Sequence, residues 1–113
     1  MSSCIFCAIA GGTGPADVVH RDDRFVAFRD INPKAPVHLL VIPVRHVTSI
    51  ATAEGLDDAE RAAMPLFIAE TARRAGLEQS GYRVATNHGP DSRQAVFHLH
   101  WHVLGGRLLS DTM

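Results

Sequence analysis

The stretch His98-Leu99-His100-Trp101-His102-Val103-Leu104 alternates three histidines with apolar residues and runs directly into Gly105-Gly106. Alternation at period two is the mark of a strand with two unlike faces. One face carries only imidazoles. The other carries Phe97, Leu99, Trp101 and Val103 and reads as a core face. A solvated or edge strand would explain one histidine in such a place. It does not explain three at strict spacing in a chain of 113 residues with 7 histidines. Same-face neighbours on a strand lie about 6.5–7 Å apart, so the outer pair is separated by about 13 Å and all three cannot grip one atom. An adjacent pair can serve one small group such as a phosphate. Histidine is the side chain that can be nucleophile, proton carrier or metal ligand near neutral pH.

The rest of the chain has the composition of one globular domain, residues 1–113, with 46% hydrophobic and 20% charged residues. The net charge of −1 argues against nonspecific nucleic-acid binding and against anionic membrane surfaces. No apolar run reaches transmembrane length. Met1-Ser2-Ser3-Cys4-Ile5-Phe6-Cys7 lacks a basic region ahead of a long apolar core, so no signal peptide is read there and the expected compartment is the cytoplasm. In that compartment the two cysteines are poor candidates for a structural disulfide.

Cys4-x-x-Cys7 lets two thiolates converge on one tetrahedral zinc, but this is half a site and needs two more ligands. A redox pair or two idle cysteines are the competing readings. Residues 5–10 suit one or two helical turns. Val18–His20 and Phe25–Phe28 read as a hairpin, and Val37–Pro43, the most apolar strand, as a central one. Between them Asp30-Ile31-Asn32-Pro33-Lys34-Ala35-Pro36 is a stiff loop. Asp30 can cap that loop or accept hydrogen bonds from ribose hydroxyls. His38 alone would be a hydrogen-bonded core histidine. Residues 52–76 read as one long helix, capped by Thr52 or Asp57 and ended by Gly76. Its core face is Ala59, Ala63, Leu66, Phe67 and Ala75, and its solvated face includes Glu60. Pro65 predicts a kink or a restart near Met64. Gly81–Asn87 is a further alternating strand. The loop His88–Gln94 that follows is placed to wrap a phosphate with backbone N–H groups, with Asn87 on a phosphate oxygen or a hydroxyl. Four or five strands and one long helix predict an α+β fold with an antiparallel sheet.

From Cys4 to Arg107 the chain resembles the Hint-like branch of the histidine triad (HIT) family of nucleotide hydrolases and transferases. The resemblance rests on His98-x-His100-x-His102-x-x and on Asp30-Ile31-Asn32-Pro33-Lys34-Ala35-Pro36, which the family writes D-[IL]-x-P-x-[AS]-P. It implies a five-stranded antiparallel sheet with one long and one short helix, and a homodimer joined through the long-helix region. It implies that Asp30 and Ile31 hold the nucleoside, that Phe6 and Ile5 line the base pocket, and that His38 supports the triad. Relatives that bear zinc use a residue matching His46 together with the cysteine pair and the first triad histidine. The implied set is Cys4, Cys7, His46 and His98, one closed structural Zn2+ per chain with no open position for substrate. Before the triad the family shows Gln-[ST]-[VI], whose hydroxyl contacts the phosphate or the leaving group. Here Gln94-Ala95-Val96 lacks that hydroxyl, and Trp101 is bulkier than the usual aliphatic residue.

The activity so implied is hydrolysis of purine nucleoside phosphoramidates or related AMP and GMP conjugates. His100 attacks the α-phosphorus to form a covalent nucleotidyl-histidine, with His102 donating to a phosphoryl oxygen. A nucleotidyltransferase is one alternative, although those relatives carry Gln where His102 stands. A dinucleoside polyphosphate hydrolase and a non-catalytic nucleotide-binding scaffold are the others.

Overall fold

The computed structural model describes residues 4–111; Met1–Ser3 of the segment judged not to be a signal peptide lie outside them, as do Thr112 and Met113. Five strands form one sheet: β1 (Val18–Arg21), β2 (Phe25–Arg29), β3 (Val37–Pro43), β4 (Tyr82–Ala85) and β5 (Trp101–Gly105). Their order is β1-β2-β3-β5-β4, and every neighbouring pair is antiparallel. Asp22 turns the first hairpin, its Oδ1 accepting the N–H groups of Arg24 and Phe25 at 2.8 Å. β3 is paired on both sides, as its apolar run predicts. The short helix α1 (Ile5–Ala10) and the long helix α2 (Asp58–Arg74) complete the α+β architecture.

The pleat sorts the core into two layers. Phe25, Ala27, Leu39, Val41 and Val103 point to one face and pack against Phe67, Ile68 and Ala72 of α2. Val26, Phe28, Leu40 and Ile42 point to the other and pack against Phe6, Ile9 and Ala10 of α1. Register puts His102 opposite Leu40 and Leu104 opposite His38, so the histidine face lies on the α1 side. Gly106 follows β5 at φ 96°, and a Cβ there would meet Pro36 Cβ at 2.9 Å. The chain therefore leaves the strand against the two-proline loop only as glycine.

The helical region departs from the sequence reading in three ways. It divides into a 3₁₀ segment (Ile50–Gly55) and α2, which Asp57 caps in a capping box with Glu60. α2 then runs unbroken through Pro65, which is exposed, so the carbonyl deprived of its partner can face water. Its buried positions are Glu60, Phe67, Ile68, Thr71 and Ala72, whereas Leu66 is 73% exposed and Ala59 is exposed. Glu60 is buried because it is well used: its two oxygens share a bifurcated hydrogen bond from Arg45 Nε–H, and Oε1 also accepts the Asp57 N–H. Asp57→Ala removes the cap and should cost about 1 kcal/mol, read as a lower midpoint in urea at unchanged slope. No helix among the described residues is long and apolar enough to cross a membrane.

Candidate active site and metal centre

β5 begins only at Trp101, so His98 and His100 precede the ladder. They are held all the same. Leu99 N–H donates to Val47 O at 2.7 Å, and Thr86 Oγ1 donates to His100 O at 2.6 Å. The imidazole row is not solvated: His98 is 0% exposed and His100 is buried. On the opposite face Leu99 and Val103 are buried as expected, but Phe97 is 61% exposed.

Carbonyl and backbone N–H partners set the ring protons. His100 Nδ1 lies 2.8 Å from His98 O, which can only accept, so Nδ1 carries the hydrogen and Nε2 keeps its lone pair. Lys34 N–H donates to His38 Nδ1 at 3.0 Å, so in the neutral ring His38 Nε2 carries the hydrogen. That hydrogen faces His102 Nδ1 at 2.9 Å, with Asp30 Oδ2 at 3.3 Å. His102 Nδ1 thus accepts, which places the His102 proton on Nε2. The result is a lone pair on His100 beside an N–H donor on His102, with ring centroids 5.2 Å apart. Asp30, His38 and His102 also cluster as a metal site would. Because His38 Nδ1 is already taken by Lys34 N–H, its Nε2 has no free lone pair for an ion.

Burial holds the His102 imidazole down to about 4 from 6.5, with further lowering from His100 and His38 and an opposing pull from Asp30. His38 is lowered chiefly by burial as well. Both rings are neutral at pH 7. The folded His102 pKa lies below the unfolded one, so this stability is present above about pH 6.5 and lost as pH falls towards 4. The thermal midpoint should fall over that window, and His102→Asn, which cannot titrate, should flatten the slope. Equal slopes for parent and variant would refute the assignment.

The other site residues fall around this pair. Phe6 presents its ring edge to His100, centroids 5.1 Å apart, and Val96 packs on the same α1 cluster. Asp30 Oδ1 caps its loop by accepting Asn32 N–H at 2.8 Å. Ile31 is 88% exposed beside it, and Ile5 is exposed on α1. Ala85 pairs with His102 at the end of the β4–β5 ladder, and Asn87 follows two residues further on, outside it. Ala95 is exposed. Gln94 has its amide engaged within the protein: Oε1 accepts Gly89 N–H, and Nε2 donates to Thr48 O and Val96 O. It shapes the loop. Ser49, which sequence reading passed over, is buried and bonded to His88 Nδ1 at 2.7 Å, tying that loop to the 3₁₀ segment. No spacing signal marks this pair, 39 residues apart.

Cys4, Cys7, His46 and His98 form the second centre, with all four donor atoms within 4.8 Å of one another. Cys7 Sγ and His98 Nδ1 lie 3.1 and 3.5 Å from His46 Nδ1 and Cys4 Sγ respectively, and Cys7 Sγ lies 3.5 Å from His98 Nδ1. The edges of a zinc tetrahedron with sulfur and nitrogen ligands are about 3.3–3.8 Å. His98 Nε2 donates to Pro43 O at 2.8 Å, which turns a bare Nδ1 towards the cluster. Donor chemistry, spacing and tautomer all fit a closed Cys2His2 site.

A five-stranded antiparallel sheet with this paired histidine site defines a HIT domain, and the chain belongs to the HIT domain family, matched over residues 12–109. It is 43% identical over 105 residues to Protein HitA of Neisseria gonorrhoeae, covering 93% of this chain and 97% of that one. Among solved structures it is similar to a HIT family hydrolase from Clostridium thermocellum, with 33% identity, TM-score 0.87, and 100% and 98% of the two chains covered. It is also similar to a zinc-bound histidine triad family protein from Mycobacterium smegmatis, with 37% identity, TM-score 0.76, and 93% and 76% covered.

Proposed function

We propose that this protein is a nucleotide hydrolase that cleaves purine nucleoside phosphoramidates or related AMP and GMP conjugates through a nucleotidyl-His100 intermediate. The observation that carries the reading is the bare His100 Nε2 set by the His98 carbonyl, next to the His102 N–H. Nε2 attacks the α-phosphorus and the P–N bond breaks. The amine leaves with a proton drawn from water, because Ala95 offers no hydroxyl. Charge arriving on the His100 ring is shared through Nδ1–H with the His98 carbonyl. His102 Nε2–H, backed by His38, donates to the phosphoryl oxygen as its charge grows. Water then cleaves the P–N bond to His100 and releases AMP. Asp30 and Ile31 hold the nucleoside and Phe6 walls the base side, with Asn87 and the N–H groups of Ala95 and Val96 on the phosphate, while Gln94 shapes the loop that presents them.

Cys4, Cys7, His46 and His98 hold one structural Zn2+ in this reading. It supplies no chemistry to the reaction and pins α1 to the histidine segment. A homodimer completes the proposal. Tyr82 and Val84 are exposed, and with Met64, Pro65, Ile68 and Trp101 they make an apolar face continuous with the open edge of β4. A second copy would cover both.

The test is intact-mass spectrometry after incubation with an AMP–amine conjugate and an alkaline quench. A one-AMP adduct that decays as AMP appears supports the reading. Nucleotide binding with neither adduct nor AMP would sink it.

A further inference from the structure

Arg93 is the only non-glycine residue among those described with a positive φ, at 64° with ψ 36°. Five glycines hold the other positive values. An L-residue in this region carries strain that glycine avoids. The loop enforces it: Arg93 N–H donates to Pro90 O at 3.0 Å, Gln94 N–H to Gly89 O at 3.2 Å, and Gln94 Oε1 takes Gly89 N–H. A position so shaped favours glycine, yet the longest cationic side chain stands there.

That side chain is exposed, and its guanidinium makes no hydrogen bond or ion pair to any described residue, although Asp91 is two positions away. Most other arginines are engaged. Arg29, Arg45, Arg61, Arg73 and Arg74 contact carboxylates, and Arg21, Arg83 and Arg107 donate to carbonyls. Arg24, the other without such a partner, lies in the β1–β2 turn.

Position gives the free guanidinium a task. Three residues on, at most about 10 Å of extended chain, Val96 packs on the cluster containing Phe6, whose ring edge meets His100. The segment between the loop and the triad carries the methyl of Ala95 and no hydroxyl. Arg93 is then the polar side chain of residues 93–96 left free to meet a departing group, since the Gln94 amide is already engaged. A guanidinium gives up no proton. It binds a planar anion through paired N–H donors.

We infer that Arg93 forms an anion subsite for the leaving group, so that the preferred nucleotide conjugates are those whose leaving group carries a carboxylate or a phosphate. This rests on the hydrolase reading above and narrows its substrates. A carboxylate would come from an amino acid joined through its amine, and a phosphate from a nucleoside diphosphate or longer chain.

The matched probes are the AMP phosphoramidates of tryptophan and tryptamine, which differ by one carboxylate. The parent should favour the tryptophan conjugate by about tenfold or more in kcat/KM, the factor expected of a charge-assisted contact. Arg93→Gln keeps an L-residue without the charge, and Arg93→Gly also removes the strain. Both should bring the ratio to about one while leaving the tryptamine conjugate unchanged, and Arg93→Gly should raise the thermal midpoint as selectivity is lost. A parent without preference for the tryptophan conjugate, or an Arg93→Gln variant that keeps it, overturns the carboxylate form. Calorimetric titration with ADP and AMP provides the phosphate arm. Tighter ADP binding that disappears in both variants supports a phosphate subsite, and does so even if no conjugate is cleaved, in which case the hydrolase reading alone falls. No Arg93 dependence in either arm overturns the inference while leaving hydrolysis intact.

Discussion

His100→Ala is expected to lower kcat/KM for an AMP–amine conjugate by about a thousandfold or more, roughly 4 kcal/mol of transition-state stabilisation. The size follows from the lack of a substitute. His102 is the adjacent imidazole, but its Nδ1 is bonded to His38 and its Nε2 carries the proton. It is also a weak base, held down to about 4 by burial and by its neighbours. His98 turns its bare nitrogen towards the cysteines. His102→Ala should cost less, about ten- to a hundredfold, because it removes one donor to a phosphoryl oxygen and leaves the nucleophile in place. Stability separates chemistry from damage. The His100 variant loses one hydrogen bond and a ring contact with Phe6, about 1–2 kcal/mol, and should still unfold cooperatively. A variant that folds and retains a tenth of the parent's turnover would exclude His100 as the nucleophile.

Removing the proposed Zn2+ should have the largest effect on stability. Chelation, or Cys7→Ser, is expected to cost about 2–5 kcal/mol and to lower the thermal midpoint by about 10 °C or more. Without an ion, two thiols and two imidazole nitrogens face each other at 3.1–3.5 Å with no shared positive centre. The readouts are zinc content by elemental analysis and the midpoint before and after chelation. Protein purified without zinc, and no more stable when zinc is added, would contradict a structural ion. Catalysis should suffer too, because His98 faces both centres. Its Nδ1 belongs to the cysteine cluster and its carbonyl sets the His100 tautomer.

Much of this was legible in the sequence, for particular reasons. The period-two alternation of the triad is that of a pleated strand, but only His102 stands in the β5 ladder, whose register puts it beside Leu40, while His98 and His100 are held just before it by Val47 O and Thr86. The Val37–Pro43 run reads as central because a strand covered on both faces has no polar positions to show. Asp57 was one of two possible caps, and the carboxyl at Glu60 decides between them by closing the box. What could not be read depends on partners distant in the chain. Glu60 is buried only because Arg45 reaches it, and Gln94 serves the loop only because Thr48 O lies within reach. The proton order along Lys34, His38 and His102 requires the strand register, which brings residues 64 positions apart into contact. Leu66 fits the helical period yet points outward, since periodicity does not say which side the sheet takes.

The strand order has a kinetic meaning. β1, β2 and β3 are successive hairpin neighbours, so their sheet can close through short loops. The β3–β5 pairing joins Leu40 to His102 across about sixty residues, a closure costing roughly 3–4 kcal/mol of chain entropy before any contact is gained. Every element of the histidine face is assembled by that one event, so a folding intermediate that lacks it is an inert meander. The Cys4–Cys7 to His98 linkage closes a still longer loop, 94 and 91 residues from the two cysteines. An ion captured early would shorten the search, and refolding in the presence of zinc is expected to be faster than refolding in chelator.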